Sequence, residues 1–356
     1  MKLLWKRTCS LVRPLLTEER LSYFLLVVLM GITLATLAVT TNTTNTTNAT
    51  VVGVYGGWRD ADRVDSFYSW LDYPGEHYAH EFIDHRYGWD TIGAGGDPIW
   101  VNWVAADDAN RRLTVSLPLV PVQSAGDFAG VASGRYDSYF RSFARSVAGT
   151  PAEDTIVRLG WEMNGNTFPW AVNRSNVGDY KRAWNHVVPV MKQEAPKLRF
   201  EWSPNVTLDA AGMTFSEMYP GDATVDYIGL GIYDYHWPSG SSDPGFDVRW
   251  DWLQNSVNGM KDHRDFAASH GKPMAYTEWS LWPQGQVGGG GDDPRFIRAM
   301  ADWFCSNPVA YQVYNEGHFK HSLNNYPNSK AAYKEEFQTS DGCGNEPYMR
   351  KLRSIR

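Results

Sequence analysis

From Val51 onward, short apolar runs alternate with stretches whose apolar residues recur every three or four positions. That alternation is the pattern of repeated βα units. The runs predict strands at Val51–Gly57, His80–Ile83, Arg112–Val120, Thr155–Trp161, Leu198–Asn205, Asp226–Tyr235, Pro273–Glu278 and Val309–Glu316. The stretches of helical period predict helices near Asp62–Leu71, Ile99–Ala109, Tyr136–Val147, Val177–Glu194, Val248–His270, Pro294–Phe304 and Ser329–Phe337. Eight strands in this spacing fit an α/β fold, a single (β/α)8 TIM barrel over residues 51–345. A doubly wound sheet is the alternative, but GVYGGWRD after the first strand lacks the spacing of a dinucleotide fingerprint. The run GQVGGGGDDP, Gly285–Pro294, has Asp where a phosphate cradle wants Lys, and reads as a mobile rim loop.

Ahead of the barrel, residues 21–39 (LSYFLLVVLMGITLATLAV) carry no charge and are long enough to cross a bilayer as a helix. Lys2, Lys6, Arg7, Arg13 and Arg20, in the basic leader 1–20, place the N-terminus on the cytoplasmic side. The segment reads as an uncleaved transmembrane signal anchor, with a cleaved signal peptide as the alternative. Either exports the barrel, to the cell membrane or as a secreted protein. Residues 40–50 (TTNTTNTTNAT) form a flexible linker with glycosylation triplets at Asn42, Asn45 and Asn48. Further triplets start at Asn173 and Asn205, and residues 346–356 are a short basic tail.

The net charge of −7 argues against a nucleic-acid partner. Cys9 falls on the cytoplasmic side, leaving Cys305 and Cys343 as a candidate disulfide. With no clustered Cys/His pattern, neither a metal nor a cofactor is expected. Sixteen Trp in 356 residues, many beside Gly, Pro, Asn or Asp, suit a cleft that holds the flat faces of sugars. A polysaccharide substrate is therefore expected, with the membrane as a second partner through the N-terminal helix.

Two acidic residues stand where strands are predicted to end: Glu162 in RLGWEMNGNTFPW and Glu278 in KPMAYTEWS. Strand ends on one face of a barrel converge on a common pocket. Glycosidic cleavage needs one protonated carboxyl and one ionised carboxylate, about 5 Å apart for retention and roughly 6.5–9.5 Å apart for inversion. Burial under Trp161 and repulsion from Glu278 would keep Glu162 protonated. Arg158 and either Tyr233 or Tyr235 are candidate donors to Glu278. Asn164 and Asn205 could hold sugar hydroxyls or fix a carboxylate. Trp170, Trp237, Trp279 and Trp282 are candidate sugar platforms, and His236 a candidate rim ligand.

At these residues the chain resembles glycoside hydrolase family 26, best known for endo-β-1,4-mannanases and containing xylanases and glucanases as well. The resemblance runs over residues 51–316 and implies a retaining (β/α)8 barrel. RLGWEMNGNTFPW is similar to the acid/base motif and implies that role for Glu162. GKPMAYTEWS is similar to the nucleophile motif and implies that role for Glu278. DYIGLGIYDYHW resembles the segment whose tyrosine bonds the nucleophile, with Tyr233 the better-aligned residue. LRFEWSPN and YPGDATVDYIG resemble the strand-five segment and the approach to strand six. Many of the family's mannanases have His before the acid/base Glu, where this chain has Trp161. The implied activity is that of an endo-β-glycosidase on a β-1,4-mannan or related β-glycan. A transglycosylase with the same carboxylates, or a non-catalytic carbohydrate-binding protein on a membrane tether, are the alternatives.

Overall fold

The computed structural model describes residues 50–206 and 212–339. The leader, the apolar segment 21–39, the triplets of the linker, Cys343 and the basic tail lie outside them. Among the described residues no helix is long and apolar enough to cross a membrane.

Eight strands form the sheet: β1 Val51–Tyr55, β2 His77–Phe82, β3 Arg111–Leu117, β4 Ile156–Leu159, β5 Arg199–Trp202, β6 Tyr227–Tyr233, β7 Met274–Ser280 and β8 Val309–Asn315. They pair in chain order and close into a barrel, with β1 lying parallel to β8 from Val51↔Tyr311 to Tyr55↔Asn315. The expected (β/α)8 barrel is therefore the observed one. Its strands are mostly shorter than the apolar runs, because those runs continue into the loops that carry the chemistry.

The two-residue period of each strand sorts the side chains. Val157 and Leu159 of β4 join the large core between sheet and helices, while Ile156 joins the small cluster inside the barrel with Tyr78, Ala275, Tyr311 and Val313. Arg158, Ser116, His80 and Glu201 share the inward positions and fill the upper lumen with hydrogen-bonding groups instead of hydrocarbon. One irregularity matters. Between β6 and β7 the register runs from Gly229↔Ala275 to Gly231↔Glu278, so β7 holds one residue more than its partner. This bulge lets Thr277 and Glu278 both point inward, after which Trp279 returns to the outer core.

Two expectations are corrected. The helix predicted over Val248–His270 is two helices, Phe246–Asn255 and Met260–Ser269. Asn258 between them has φ 57, and its side chain accepts from the Phe215 N–H and donates to the Met213 carbonyl. That local bonding outcompetes a continuous helix. The glycine run after β7 is packed down: Gly288, Gly289 and Gly291 are buried, and a Cβ on Gly288 would come within 2.5 Å of the His236 carbonyl. Close backbone approach, rather than mobility, explains those glycines. In the second βα unit the helix is Pro98–Ala105, started by Asp97, which accepts from the Ile99 N–H, and ended by the turn at Asp107–Asn110.

Candidate active site

Glu162 follows β4 by a sharp turn. Gly160 has φ 53 and Glu162 itself φ 51, an unusual conformation for a residue with a side chain. The Glu162 N–H bonds the Ser203 carbonyl at 2.8 Å, anchoring this turn to the loop after β5. Its Oε1 accepts a hydrogen bond from Asn205 Nδ2. Asn205 is in turn held by Asn164, whose side chain donates to the Asn205 carbonyl and accepts from its N–H, both at 2.8 Å. Tyr235 donates to Asn205 Oδ1 at 3.4 Å.

Glu278, brought inward by the bulge, is almost fully buried. Arg158 Nη1 donates to its Oε2 at 2.7 Å, and the Tyr233 hydroxyl donates to Oε1. Each oxygen of Glu278 thus accepts a hydrogen bond, one from a cation and one from a phenol. Asn315 Nδ2 supports the Tyr233 hydroxyl at 3.4 Å. Gly231, opposite Glu278 on β6, packs against Glu162 and Arg158: a Cβ there would lie 3.1 Å from Glu162 Oε1 and 3.5 Å from Arg158 Nη2.

The two carboxyls are electrostatically unequal. Burial and the charge of Glu278 push Glu162 up to about 7, against the opposing pull of Arg158 and Asn205. One acid is thus poised to carry a proton near neutrality, while the other is held by a cation and a phenol. That inequality is one requirement of paired acid and nucleophile work.

Several predicted sugar contacts are corrected. Trp170 and Trp279 are fully buried. Trp170 stacks on Phe168 and donates to the Trp161 carbonyl at 2.6 Å. Trp279 faces outward, bonded to Gln312 and packed against Phe304 and Tyr333. Neither can be a platform, because each occupies an apolar layer behind the cleft. Trp161 is also buried, its ring against Phe82 and Phe168, so it forms the wall beneath the cleft. Arg158 and Asn164 are buried too, and act on Glu278 and Asn205 rather than on solvent.

Trp282 is half-buried, with its ring edge-on to Tyr233 and Tyr235 at 5.3 and 5.6 Å, so it stands beside the carboxylates. Trp237 is 63% exposed on the rim, and His236 bonds Ser239 Oγ at 2.6 Å. Cys305 is disulfide-bonded; its expected partner, Cys343, lies outside the described residues.

Residues not anticipated from the sequence complete the site. Ser116 accepts from Arg158 Nη1 at 3.3 Å and lies 3.0 Å from His80 Nε2. Tyr55, at the end of β1, is half-buried with its ring 4.9 Å from Phe82. Glu201 lies under Arg158. The inward alternation of RRLTVSL could have flagged Ser116, but no local signal marks Glu201.

Fold and site together define a (β/α)8 barrel with a pair of buried glutamates, one just after β4 and one near the end of β7. Residues 152–246 match the model of Glycosyl hydrolase family 26, which bears out the resemblance carried by the Glu162 motif. A mannan endo-1,4-beta-mannosidase of Bifidobacterium adolescentis is 25% identical over 217 residues, 58% of this chain and 20% of that protein. Endoglucanase H of Acetivibrio thermocellus is 26% identical over 162 residues, 44% of this chain and 17% of that protein. The chain thus spans a fifth or less of the length of these curated relatives. Among solved structures, an endo-beta-1,4-mannanase double mutant from Cellulomonas fimi superposes with a TM-score of 0.55 at 15% identity. That match covers 82% of this chain and 72% of the other, a likeness of fold.

Proposed function

We propose that this protein is a retaining endo-β-glycosidase that cleaves a β-1,4-mannan or a related β-glycan by double displacement. The observation that carries the reading is the pairing of a carboxyl raised to about 7 with a second carboxylate held by Arg158 and Tyr233. In the first step a Glu278 oxygen forms a bond to the anomeric carbon. The bond from that carbon to the glycosidic oxygen breaks, its electron pair stays on the oxygen, and the Glu162 proton neutralises it. In the second step Glu162, now ionised, takes a proton from water. The water oxygen bonds the anomeric carbon, and the ester bond to Glu278 breaks to restore its carboxylate. Asn205 steadies Glu162 through both changes of protonation, and Trp282 offers a ring face beside the reacting sugar.

The mannosidase relative and the family match support the substrate class, and the endoglucanase relative extends it to other β-glycans. Export through residues 21–39, as anchor or as cleaved signal, belongs to the same reading, since a polymeric substrate lies outside the cell. The test is hydrolysis of soluble β-mannan, β-glucan and β-xylan by the wild type and by Glu278→Ala. The wild type is expected to release reducing ends from at least one polymer and the variant to lose at least about 1000-fold. Equal activity in the two proteins would sink the proposal.

A further inference from the structure

Glu201 has no part in these steps, yet it sits fully buried on β5 in the lumen that holds the reacting pair. A buried carboxylate is costly, and a neutral side chain would serve packing as well. Its surroundings are built to receive it. Thr277 Oγ1 and the Tyr311 hydroxyl both donate to Glu201 Oε2, the latter at 2.6 Å. Gly229 on β6 leaves the space its Oε1 occupies, since a Cβ there would collide with that atom. Burial pushes the carboxyl up, and Arg158 is the largest influence holding it down. The donor pattern suits the ionised form: Oε1 faces Arg158 Nε, so a proton on it would point at another donor.

The contact with Arg158 is incomplete. Arg158 Nε and Glu201 Oε1 are 3.9 Å apart, and neither has a hydrogen-bond partner among the described residues. That gap is too long for a hydrogen bond. In the resting protein the guanidinium leans instead on Glu278, at 2.7 Å. The retaining reaction removes that partner, because ester formation turns the Glu278 carboxylate into a neutral group. Arg158 has no exposed surface, so its charge would then be stranded in the lumen.

We propose that Glu201 is a positioning residue that acts as the standing counter-charge of Arg158, closing the 3.9 Å gap when Glu278 is esterified and so stabilising the covalent intermediate. This inference rests on the retaining reading above. It assigns Glu201 a role confined to one half of the cycle: before ester formation Glu278 pairs Arg158, and afterwards Glu201 does.

The experiment uses a dinitrophenyl 2-deoxy-2-fluoro-β-glycoside of the sugar chosen by the polymer panel. Phenolate release and intact mass follow formation of the Glu278 adduct, and mass follows its decay in buffer. Glu201→Gln is expected to slow adduct formation at least about tenfold while leaving adduct decay as fast as in wild type or faster. Glu201→Asp, which keeps the charge, is expected to recover most of the formation rate. Formation at the wild-type rate in E201Q, or equal losses in E201Q and E201D, would overturn the inference. So would a Glu201→Gln protein that does not fold, since Glu278 alone should suffice to pair Arg158 in the resting state. No adduct on wild-type Glu278 overturns the retaining reading and this inference with it. Wild-type labelling with an unaffected E201Q overturns this inference alone.

Discussion

On the proposed reading, Glu162 concentrates the chemistry of the protein in one titration. Raised from its ordinary 4.5 to about 7, first by burial and then by Glu278, it donates a proton only while protonated. Activity measured as kcat/KM against pH is therefore expected to fall as pH rises through about 7. Asn205 favours the ionised form by donating to Oε1, so Asn205→Ala is expected to move this alkaline limb to higher pH. A limb that stays in place would show that Asn205 serves only the shape of the loop. The same shift has a stability sign. Below pH 4.5 the carboxyl is protonated both folded and unfolded. Between 4.5 and about 7 the unfolded chain ionises first, so folding is progressively disfavoured. These conclusions needed the fold, because a Glu beside Asn and Gly in a sequence reads equally well as a solvated loop residue.

At the scale of elements, the β6–β7 pair decides whether the two acids can meet. The extra residue in β7 turns Glu278 inward, and Gly231 opposite it, having no side chain, leaves room for Glu162 and Asn205. Gly231→Ala would place a methyl 3.1 Å from Glu162 Oε1 and 3.4 Å from Asn205 Nδ2, tight enough to displace one of them. The expected result is a loss of about tenfold or more in kcat, with a thermal midpoint close to wild type. A variant with unchanged kcat would mean that the acid/base has room to spare. DYIGLGIYDY announced the strand, and its glycines were visible in it. Their purpose was not, since it depends on side chains from β4 and β5 that are remote in sequence.

For the whole molecule, the loops after β6 and β7 are fastened by a buried ion network rather than left free. Arg249 is fully buried and reaches Asp234 at 2.7 Å and Asp293 at 2.6 Å, with Asp243 as a third partner. Asp234 stands between Tyr233 and Tyr235, and Asp293 starts the helix Pro294–Ser306. Removing the cation leaves Asp234 and Asp243 without it, and Asp293 with Arg295 alone. Arg249→Met is accordingly expected to cost about 3–5 kcal/mol in denaturant unfolding. Catalysis should suffer as well, through the loosened loop that follows Tyr233 at the end of β6. Stability within about 0.5 kcal/mol of wild type would refute the fastening role.

By itself the sequence determined the architecture and the pair of acids. The alternation of apolar runs and helical stretches is a local property, and both glutamates lie in motifs read directly from the chain. It could not tell which tryptophans are left open to a ligand, because Trp170 and Trp279 follow the same local cues as Trp282 while lying in the outer core. Nor could it place Ser116 and Glu201 beside Arg158, or turn Glu278 inward. Those outcomes depend on register and on charges from separate strands sharing one low-dielectric lumen, and only the closed barrel brings them within reach of one another.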